Sequence, residues 1–151
     1  MTKSKKRIKM IKKTPLKYID LFCGIGGFHQ VLNSLGCQCV LACDIDKYCR
    51  EVYKMNYGVE VAPDVKKLNP ELMPDFDILC GGFPCQAFSN AGKKKTFDDD
   101  RGLLFDEIIR IVRVKKPRFL FLENVKHILK VGNGKVIEYI LDKLDKTGYN
   151  V

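Results

Sequence analysis

The chain has 151 residues, of which 46% are hydrophobic and 30% are charged. This composition predicts one globular domain with its own core and excludes a disordered chain. No apolar run approaches the length of a membrane span, and the basic first 17 residues lack the apolar segment of a secretory signal. We therefore expect a cytoplasmic protein with no membrane partner, whose seven cysteines are reduced thiols.

The formal net charge of +9 comes from one end of the chain. Eight of the 27 basic residues and none of the 18 acidic residues lie within residues 1–17, so the remainder is nearly neutral. We interpret residues 1–15 as a flexible basic tail and residues 16–151 as the folded domain. Such tails often bind nucleic acid phosphates, but a solvated arm without a partner would explain the same charge equally well.

Apolar runs bounded by turn residues predict five strands. They cover residues 16–22, 39–43, a short stretch within 59–65, 76–80 and 119–122. Four other segments carry apolar residues at helical spacing. These stripes are Phe28, Val31, Leu32 and Leu35; Tyr48, Val52 and Met55; Leu104, Ile108, Ile111 and Val112; and Val136, Ile137, Ile140, Leu141 and Leu144. Alternating strands and helices predict an α/β fold with a parallel sheet covered on both faces.

In a sheet of this kind the carboxyl ends of the strands share one edge, where ligands bind. A glycine-rich turn, residues 23–27, follows the first strand at this edge, and Asp44 ends the second. The spacing Gly24-x-Gly26-Gly27 differs from the dinucleotide fingerprint, although an acid ending the second strand is placed to hold ribose hydroxyls. The residues favour a nucleoside cofactor; the alternative is that the glycines only allow close packing of helix on strand.

Cys85 lies in the loop after the fourth strand, at the same predicted edge. A thiolate in such a crevice is a strong nucleophile, whereas an inert apolar role fits a loop cysteine poorly. The chain has no Cys-x-x-Cys pair, and His29 and His127 lie far in sequence from any matching pair of cysteines. A zinc site is therefore not expected.

Glu123 and Asn124 end the fifth strand. A carboxyl group in this place can hydrogen-bond or protonate a ring nitrogen. The simpler explanation is a strand end exposed to solvent. Glu123 becomes a candidate catalytic residue only in combination with the cysteine and the glycine turn.

Three segments together resemble the cytosine-5 DNA methyltransferase family. Residues 20–28 (DLFCGIGGF) resemble its cofactor motif, residues 81–89 (GGFPCQAFS) its catalytic motif and residues 123–125 (ENV) its glutamate motif. The likeness runs from about Leu16 to the last residue in the order of the family. It implies a Rossmann-like fold that uses S-adenosylmethionine to methylate carbon 5 of a cytosine flipped out of DNA, as in restriction-modification systems.

The resemblance also implies roles for individual residues. Cys85 would be the nucleophile that adds to carbon 6 of cytosine, and Glu123 would hold ring nitrogen 3. The implied cofactor contacts are Phe22, Gly24, Gly26, Asp44, Ile45, Asp64, Val65, Pro84 and Leu104. The implied contacts to the DNA substrate are Gln86, Ser89 and Asn124.

The family continues beyond the matched motifs with two further strands, a target-recognition domain and a closing segment. The resemblance therefore implies a partial catalytic domain, with a fold incomplete at its C-terminal end. The strand at residues 119–122 would be an open edge, apolar on both faces. Two alternatives are a truncated inactive fragment and one subunit of a split enzyme completed by a second chain. A basic nucleic-acid-binding module is a third, and the near-neutral body disfavours it.

Overall fold

The computed structural model describes residues 14–84 and 104–151. The strands are β1 (Lys17–Leu21), β2 (Gln38–Cys43), β3 (Val61–Ala62), β4 (Ile78–Gly82) and β5 (Phe119–Glu123). The helices are α1 (Gly27–Ser34), α2 (Lys47–Tyr57), α3 (Leu104–Lys115) and α4 (Lys135–Asp145). Short 3-10 segments occur at Val65–Lys67, Pro70–Leu72 and Lys126–Gly134.

The five strands form one parallel sheet in the order β3-β2-β1-β4-β5, which confirms the predicted α/β class. The chain moves outward from β1 to β2 and β3, then returns to the other side of β1 with β4 and β5. The order therefore reverses between β1 and β4. In open α/β sheets the ligand crevice lies at such a reversal, beyond the carboxyl ends of the strands.

The face of the sheet that carries Ile19, Leu21 and Leu79 is covered by α3 and α4. Their predicted stripes are confirmed at six buried positions and wrong at Leu141, which is 43% exposed. The six are Ile108, Ile111 and Val112 on α3 and Val136, Ile140 and Leu144 on α4. This face holds the main hydrophobic core of the described residues.

The other face is covered by α1 and α2. The predicted stripe of α1 is confirmed only at Phe28 and Leu32, which pack on this face, and the predicted stripe of α2 is wrong. Helix α1 buries His29 and leaves Val31 58% exposed, while α2 buries Tyr53 and leaves Met55 84% exposed. The side of β1 that these helices cover carries the polar side chain of Asp20, which is fully buried. Polar aromatic residues can hydrogen-bond there and aliphatic residues cannot, so the buried surface does not follow the apolar stripe.

Strand β5 lies at the edge of the described sheet, as expected, but only one of its faces is buried. Leu120 and Leu122 pack on the core, whereas Phe119 is 49% and Phe121 61% exposed. Phe121 makes one edge-to-face contact with Phe28 of α1, with ring centroids 6.0 Å apart. The strand is thus apolar on both faces, as expected, and only the face with Leu120 and Leu122 is buried.

Six cysteines lie in the described part of the chain, all as free thiols. Burial raises the pKa of Cys43 and of Cys80 to about 12, so neither is a ready nucleophile. Within residues 14–84 and 104–151, no group of His, Cys, Asp and Glu side chains has the arrangement of a metal site. None of the helices in these ranges is long and apolar enough to span a membrane.

Candidate active site at the carboxyl edge of the sheet

The glycine-rich turn after β1 adopts backbone conformations that few side chains tolerate. Phe22, Gly24 and Gly26 have φ angles of 57°, 53° and 97°. The ring of Tyr57 closes the space at Gly26, where a Cβ atom would lie 2.2 Å from a ring carbon. The hydroxyl of Tyr57 also donates to the carbonyl oxygen of Gly26 at 3.1 Å. Glycine is thus required at Gly26 both by φ and by close packing.

Asp44 holds this turn against the start of α2. Its Oδ2 accepts a hydrogen bond from the backbone N–H of Gly24 at 2.7 Å, and its Oδ1 accepts one from Asp46 at 2.8 Å. The side chain of Asp46 in turn caps α2 by accepting from the N–H groups of Tyr48 and Cys49. A carboxylate has about four acceptor positions, so Asp44 can still accept hydroxyl hydrogen bonds from a ligand.

The next acidic residue, Asp64, follows β3 at the same edge. Its Oδ1 accepts from the N–H of Lys66 at 3.0 Å and begins a 3-10 turn in which Val65 is buried. The backbone N–H of Asp44 donates to the carbonyl oxygen of Ala62 at 3.0 Å, which joins the ends of β2 and β3. The aliphatic side chain of Ile45 is 77% exposed beside them. Acceptors next to an exposed apolar side chain suit a nucleoside, whose sugar is polar and whose base is flat.

The ends of β4 and β5 form the other half of the site. Phe83 is buried against Phe105 of α3, with ring centroids 5.2 Å apart. Gly82 is paired with Glu123, and a Cβ atom on Gly82 would lie 3.4 Å from the Glu123 Oε2 atom. The Glu123 side chain is exposed and lies beside the backbone that leads to Pro84. Because Gly82 has no side chain, this carboxylate stays accessible to a ligand in the crevice.

The predicted site residues fall into two groups. Phe22, Gly24, Gly26, Asp44, Ile45, Asp64, Val65, Pro84, Leu104, Glu123 and Asn124 lie in the described ranges, and Leu104 is the first residue of α3. Three predicted residues, Cys85, Gln86 and Ser89, lie outside the described residues. The first of the two described ranges ends at Pro84, one residue before the predicted nucleophile.

A buried polar cluster behind the glycine turn was missed by sequence reasoning. Asn33 donates to His29 Nε2 at 2.9 Å, which leaves His29 Nδ1 to donate to the Tyr53 hydroxyl at 2.7 Å. Tyr53 donates in turn to Asp20 Oδ2 at 3.5 Å. Among the described residues, no hydrogen-bond partner contacts the buried Asp20 Oδ1 atom. A carboxyl group inside an apolar strand, and a histidine two residues after the turn, were the signals available in the sequence.

Burial raises the pKa of Asp20 to about 7; the Tyr53 hydrogen bond opposes this shift, and the neighbouring charge of Asp44 adds to it. Burial also lowers the pKa of His29, which favours the neutral ring that the hydrogen bonds require. The aromatic rings complete the cluster, with Tyr57 stacked on His29 at a centroid distance of 3.9 Å. The turn that carries Gly26 therefore packs against a hydrogen-bonded cluster of aromatic side chains.

Comparison with known proteins decides the family. The family model of the C-5 cytosine-specific DNA methylases matches residues 16–151. The chain belongs to this family. It is 48% identical over 143 residues to the type II methyltransferase M.HhaI of Haemophilus parahaemolyticus, and 45% identical over 135 residues to M.HaeII of Haemophilus aegyptius. These alignments cover 95% and 89% of this chain.

Solved structures of methyltransferases share the fold. The Dnmt2 methyltransferase of S. pombe superposes with a TM-score of 0.71 at 27% identity, over 89% of this chain and 43% of that one. A DNA modification methyltransferase encoded within an E. coli prophage gives a TM-score of 0.70 at 27% identity, over 87% of this chain and 38% of that one. The resemblance drawn from the motifs and the Rossmann-like class are thereby confirmed.

The chain spans less than half the length of the curated methylases it matches. It covers 44% of M.HhaI and 42% of M.HaeII. The matched part contains all three motif segments, at residues 20–28, 81–89 and 123–125.

Proposed function

We propose that this chain carries the catalytic part of a DNA cytosine-5 methyltransferase of the restriction-modification type, with S-adenosylmethionine as methyl donor. One observation carries the proposal: two halves of a site meet at the reversal of strand order. The first half is the glycine turn held by Asp44, and the second is Glu123 beside the backbone that leads to Cys85. Fold membership alone would not assign this chemistry, since one fold serves many reactions.

The residues on the cofactor side fit S-adenosylmethionine. Asp44 retains acceptor positions for the ribose hydroxyls, and the exposed Ile45 offers an apolar surface for the adenine ring. The backbone at Gly24 carries no side chain that would keep a ligand at a distance, and nothing lies within 4 Å of the place where a Cβ atom would be. When bound, the cofactor supplies an electrophilic methyl group on a sulfonium sulfur.

On the substrate side, the Cys85 thiolate forms a bond to carbon 6 of cytosine, and the electron pair of the C5–C6 double bond moves towards carbon 5. The Glu123 carboxyl group donates a hydrogen bond, or its proton, to ring nitrogen 3 and so stabilises the charge that develops on the ring. Carbon 5 then takes the methyl group, loses its proton to a base, and the bond between sulfur and carbon 6 breaks. The products are 5-methylcytosine, S-adenosylhomocysteine, one proton and the restored Cys85 thiolate.

DNA is the proposed partner, because the target carbon lies inside a stacked duplex and the base must leave the stack. Gln86 and Ser89 are proposed to contact the flipped nucleotide, and the basic residues 1–15 to contact phosphates. Deleting residues 1–13 should weaken nonspecific DNA binding and flatten its dependence on salt by about one unit of slope for each lost contact. Cofactor binding should be unchanged, and its loss on deletion would show that the segment is structural.

Covalent trapping tests the proposed nucleophile. The chain is incubated with S-adenosylmethionine and a duplex that contains 5-fluorocytosine, in which fluorine blocks release of the thiol. We expect a denaturation-resistant adduct that is abolished by Cys85→Ser and retained by the control Cys37→Ser, since Cys37 directly precedes β2, at the opposite end of the strands from the site. An adduct that persists in Cys85→Ser, or one that maps to Cys80, would overturn the assignment.

A second candidate is a subunit or fragment that is active only when further polypeptide covers β5. The exposed side chains of Phe119 and Phe121 favour it, since unpaired apolar edges are normally covered. The trapping assay is therefore repeated with the part of M.HhaI that this chain does not match, expressed separately. Trapping only in the mixture would support the split arrangement, and trapping by the chain alone would exclude it.

A further inference from the structure

Arg110, on α3, lies outside every motif that the sequence singled out, yet it makes two long-range hydrogen bonds. Its Nη1 donates to the carbonyl oxygen of Leu68 at 2.9 Å, and its Nη2 donates to that of Val65 at 3.1 Å. The partners are 42 and 45 residues away in sequence. These bonds attach the 3-10 turn after β3 to the middle of α3.

The guanidinium group is fixed on its other side by Glu107. Glu107 Oε2 accepts from Arg110 Nε at 2.8 Å and lies 2.7 Å from Nη2. The side chain of Arg110 is 35% exposed and that of Glu107 is 21% exposed, so the pair is partly shielded from water. A planar guanidinium with several directed donors can join a carboxylate and two carbonyl oxygens at once, which a lysine cannot do with the same geometry.

The turn that Arg110 holds begins with Asp64 and Val65, two of the proposed cofactor contacts. The carbonyl oxygen of Val65 accepts from both Arg110 and the N–H of Leu68, so the turn and its attachment share one atom. The same helix begins at Leu104, a third proposed contact. Helix α3 therefore joins two parts of the proposed adenosine pocket that are about 40 residues apart in sequence.

We propose that Arg110 is a positioning residue for the adenosine end of the cofactor, which it serves by fixing the turn at Asp64 and Val65 to α3. This inference rests on the proposed function, because it assumes that the pocket takes S-adenosylmethionine. The guanidinium does not touch the cofactor. It orders the turn in the absence of ligand, so that less conformational entropy is lost when the cofactor binds.

The test measures cofactor affinity by calorimetry in Arg110→Gln, Arg110→Lys and the control Arg113→Gln. Arg113 lies one turn further along α3 and is exposed, and it takes part in none of the hydrogen bonds and ion pairs found among the described residues. Arg110→Gln should weaken binding of S-adenosylmethionine and of S-adenosylhomocysteine alike, by about tenfold. Arg110→Lys should recover only part of this loss, and Arg113→Gln should bind as the unmodified chain does.

A double-mutant cycle separates positioning from general destabilisation. If Arg110 acts through the turn, its effect should largely vanish in an Asp64→Ala background and persist in an Asp44→Ala background. Equal affinity in Arg110→Gln and the unmodified chain, or full additivity with Asp64→Ala, would overturn the proposal.

Amide hydrogen exchange without ligand makes the test independent of cofactor binding. Arg110→Gln should speed exchange at residues 65–68 and leave residues 23–27 unchanged, with Arg110→Lys measured in its place if the glutamine variant does not fold. If the unmodified chain binds no cofactor, the proposed function fails. Unchanged exchange at residues 65–68 would then show that Arg110 does not order the turn.

Discussion

The side-chain amide of Asn124 donates to the carbonyl oxygen of Phe83 at 2.6 Å, across the carboxyl ends of β4 and β5. The other end of the same amide accepts from the N–H of Val125 at 2.9 Å. Phe83 lies two residues before Cys85, and Asn124 directly follows Glu123. The amide thus joins the two chain segments that lead to the proposed nucleophile and the proposed carboxylate.

We predict that Asn124→Ala slows covalent trapping by about 10- to 100-fold, the equivalent of one hydrogen bond lost between partly buried groups. Affinity for S-adenosylmethionine should change little, because the contact lies on the substrate side. The measurement is the rate of adduct formation on 5-fluorocytosine DNA, with exposed Asn56→Ala as the control. Trapping at the unmodified rate would mean that Asn124 neither positions the loop nor contacts DNA.

Gly26 and Gly27 offer a matched pair of glycines at the start of α1. A methyl group on Gly26 would overlap the Tyr57 ring and force a side chain into a φ of 97°, whereas nothing lies within 4 Å of a Cβ on Gly27. Gly26→Ala should weaken cofactor binding and lower the free energy of unfolding by about 2 kcal/mol or more. Gly27→Ala should be neutral or stabilising by about 0.5–1 kcal/mol, since it lies inside the helix.

A third variant separates the two causes at Gly26. In a Tyr57→Ala background the overlap is gone and the φ strain remains. Adding Gly26→Ala to Tyr57→Ala should therefore weaken cofactor binding less than Gly26→Ala does in the unmodified chain. Calorimetry and urea melts measure both quantities. Equal behaviour of Gly26→Ala and Gly27→Ala would contradict the packing described for the turn.

The buried Asp20 should make stability depend on pH. Its pKa is about 7 in the folded chain and near 4 when unfolded, so the folded state binds more protons between these values. This group therefore stabilises the fold fully below pH 4, and its contribution falls by about 1 kcal/mol per pH unit until pH 7. His29 acts in the opposite sense, because burial lowers its pKa and its neutral form is favoured.

Comparison with Asp20→Asn isolates the contribution of Asp20. The variant should gain stability relative to the unmodified chain as pH rises from 4 to 7, and the difference should be constant above pH 7. Urea melts across this range give the difference directly, with Glu138→Gln on the exposed side of α4 as the control. A difference that does not change with pH would show that Asp20 is not buried as a titrating carboxyl group.

The exposed face of β5 predicts unequal effects of two neighbouring substitutions. Phe121→Lys should change the free energy of unfolding by less than about 1 kcal/mol, because the ring is 61% exposed. Leu122→Lys should be severely destabilising, since it puts an unpaired charge against the core. Thermal melts measure both effects.

The same face should promote self-association of the chain. Light scattering of the unmodified chain should rise with concentration, and Phe121→Lys should reduce that rise. A monodisperse monomer with a sharp, high melting transition would show that Phe119 and Phe121 are not an association surface. The two measurements distinguish a surface role of Phe121 from a structural one.

The sequence by itself determined the family, the α/β class and the order of elements in the described residues. Strands, the stripes of α3 and α4 and the glycine turn are local patterns, each readable within about a dozen residues. The carboxyl-edge grouping of Asp44 and Glu123 also followed, because parallel strands put all their carboxyl ends together.

Only the tertiary structure decided which faces are buried and which residues support the site. The stripe of α2 failed, and that of α1 held only at Phe28 and Leu32, because the buried Asp20 needs Tyr53 as a hydrogen-bond donor, and Tyr53 in turn contacts His29 from the other helix. Arg110 was invisible for the same reason, since its partners lie more than 40 residues away in sequence. Hydrogen bonds between distant segments depend on how the elements pack, and no local period in the sequence records them.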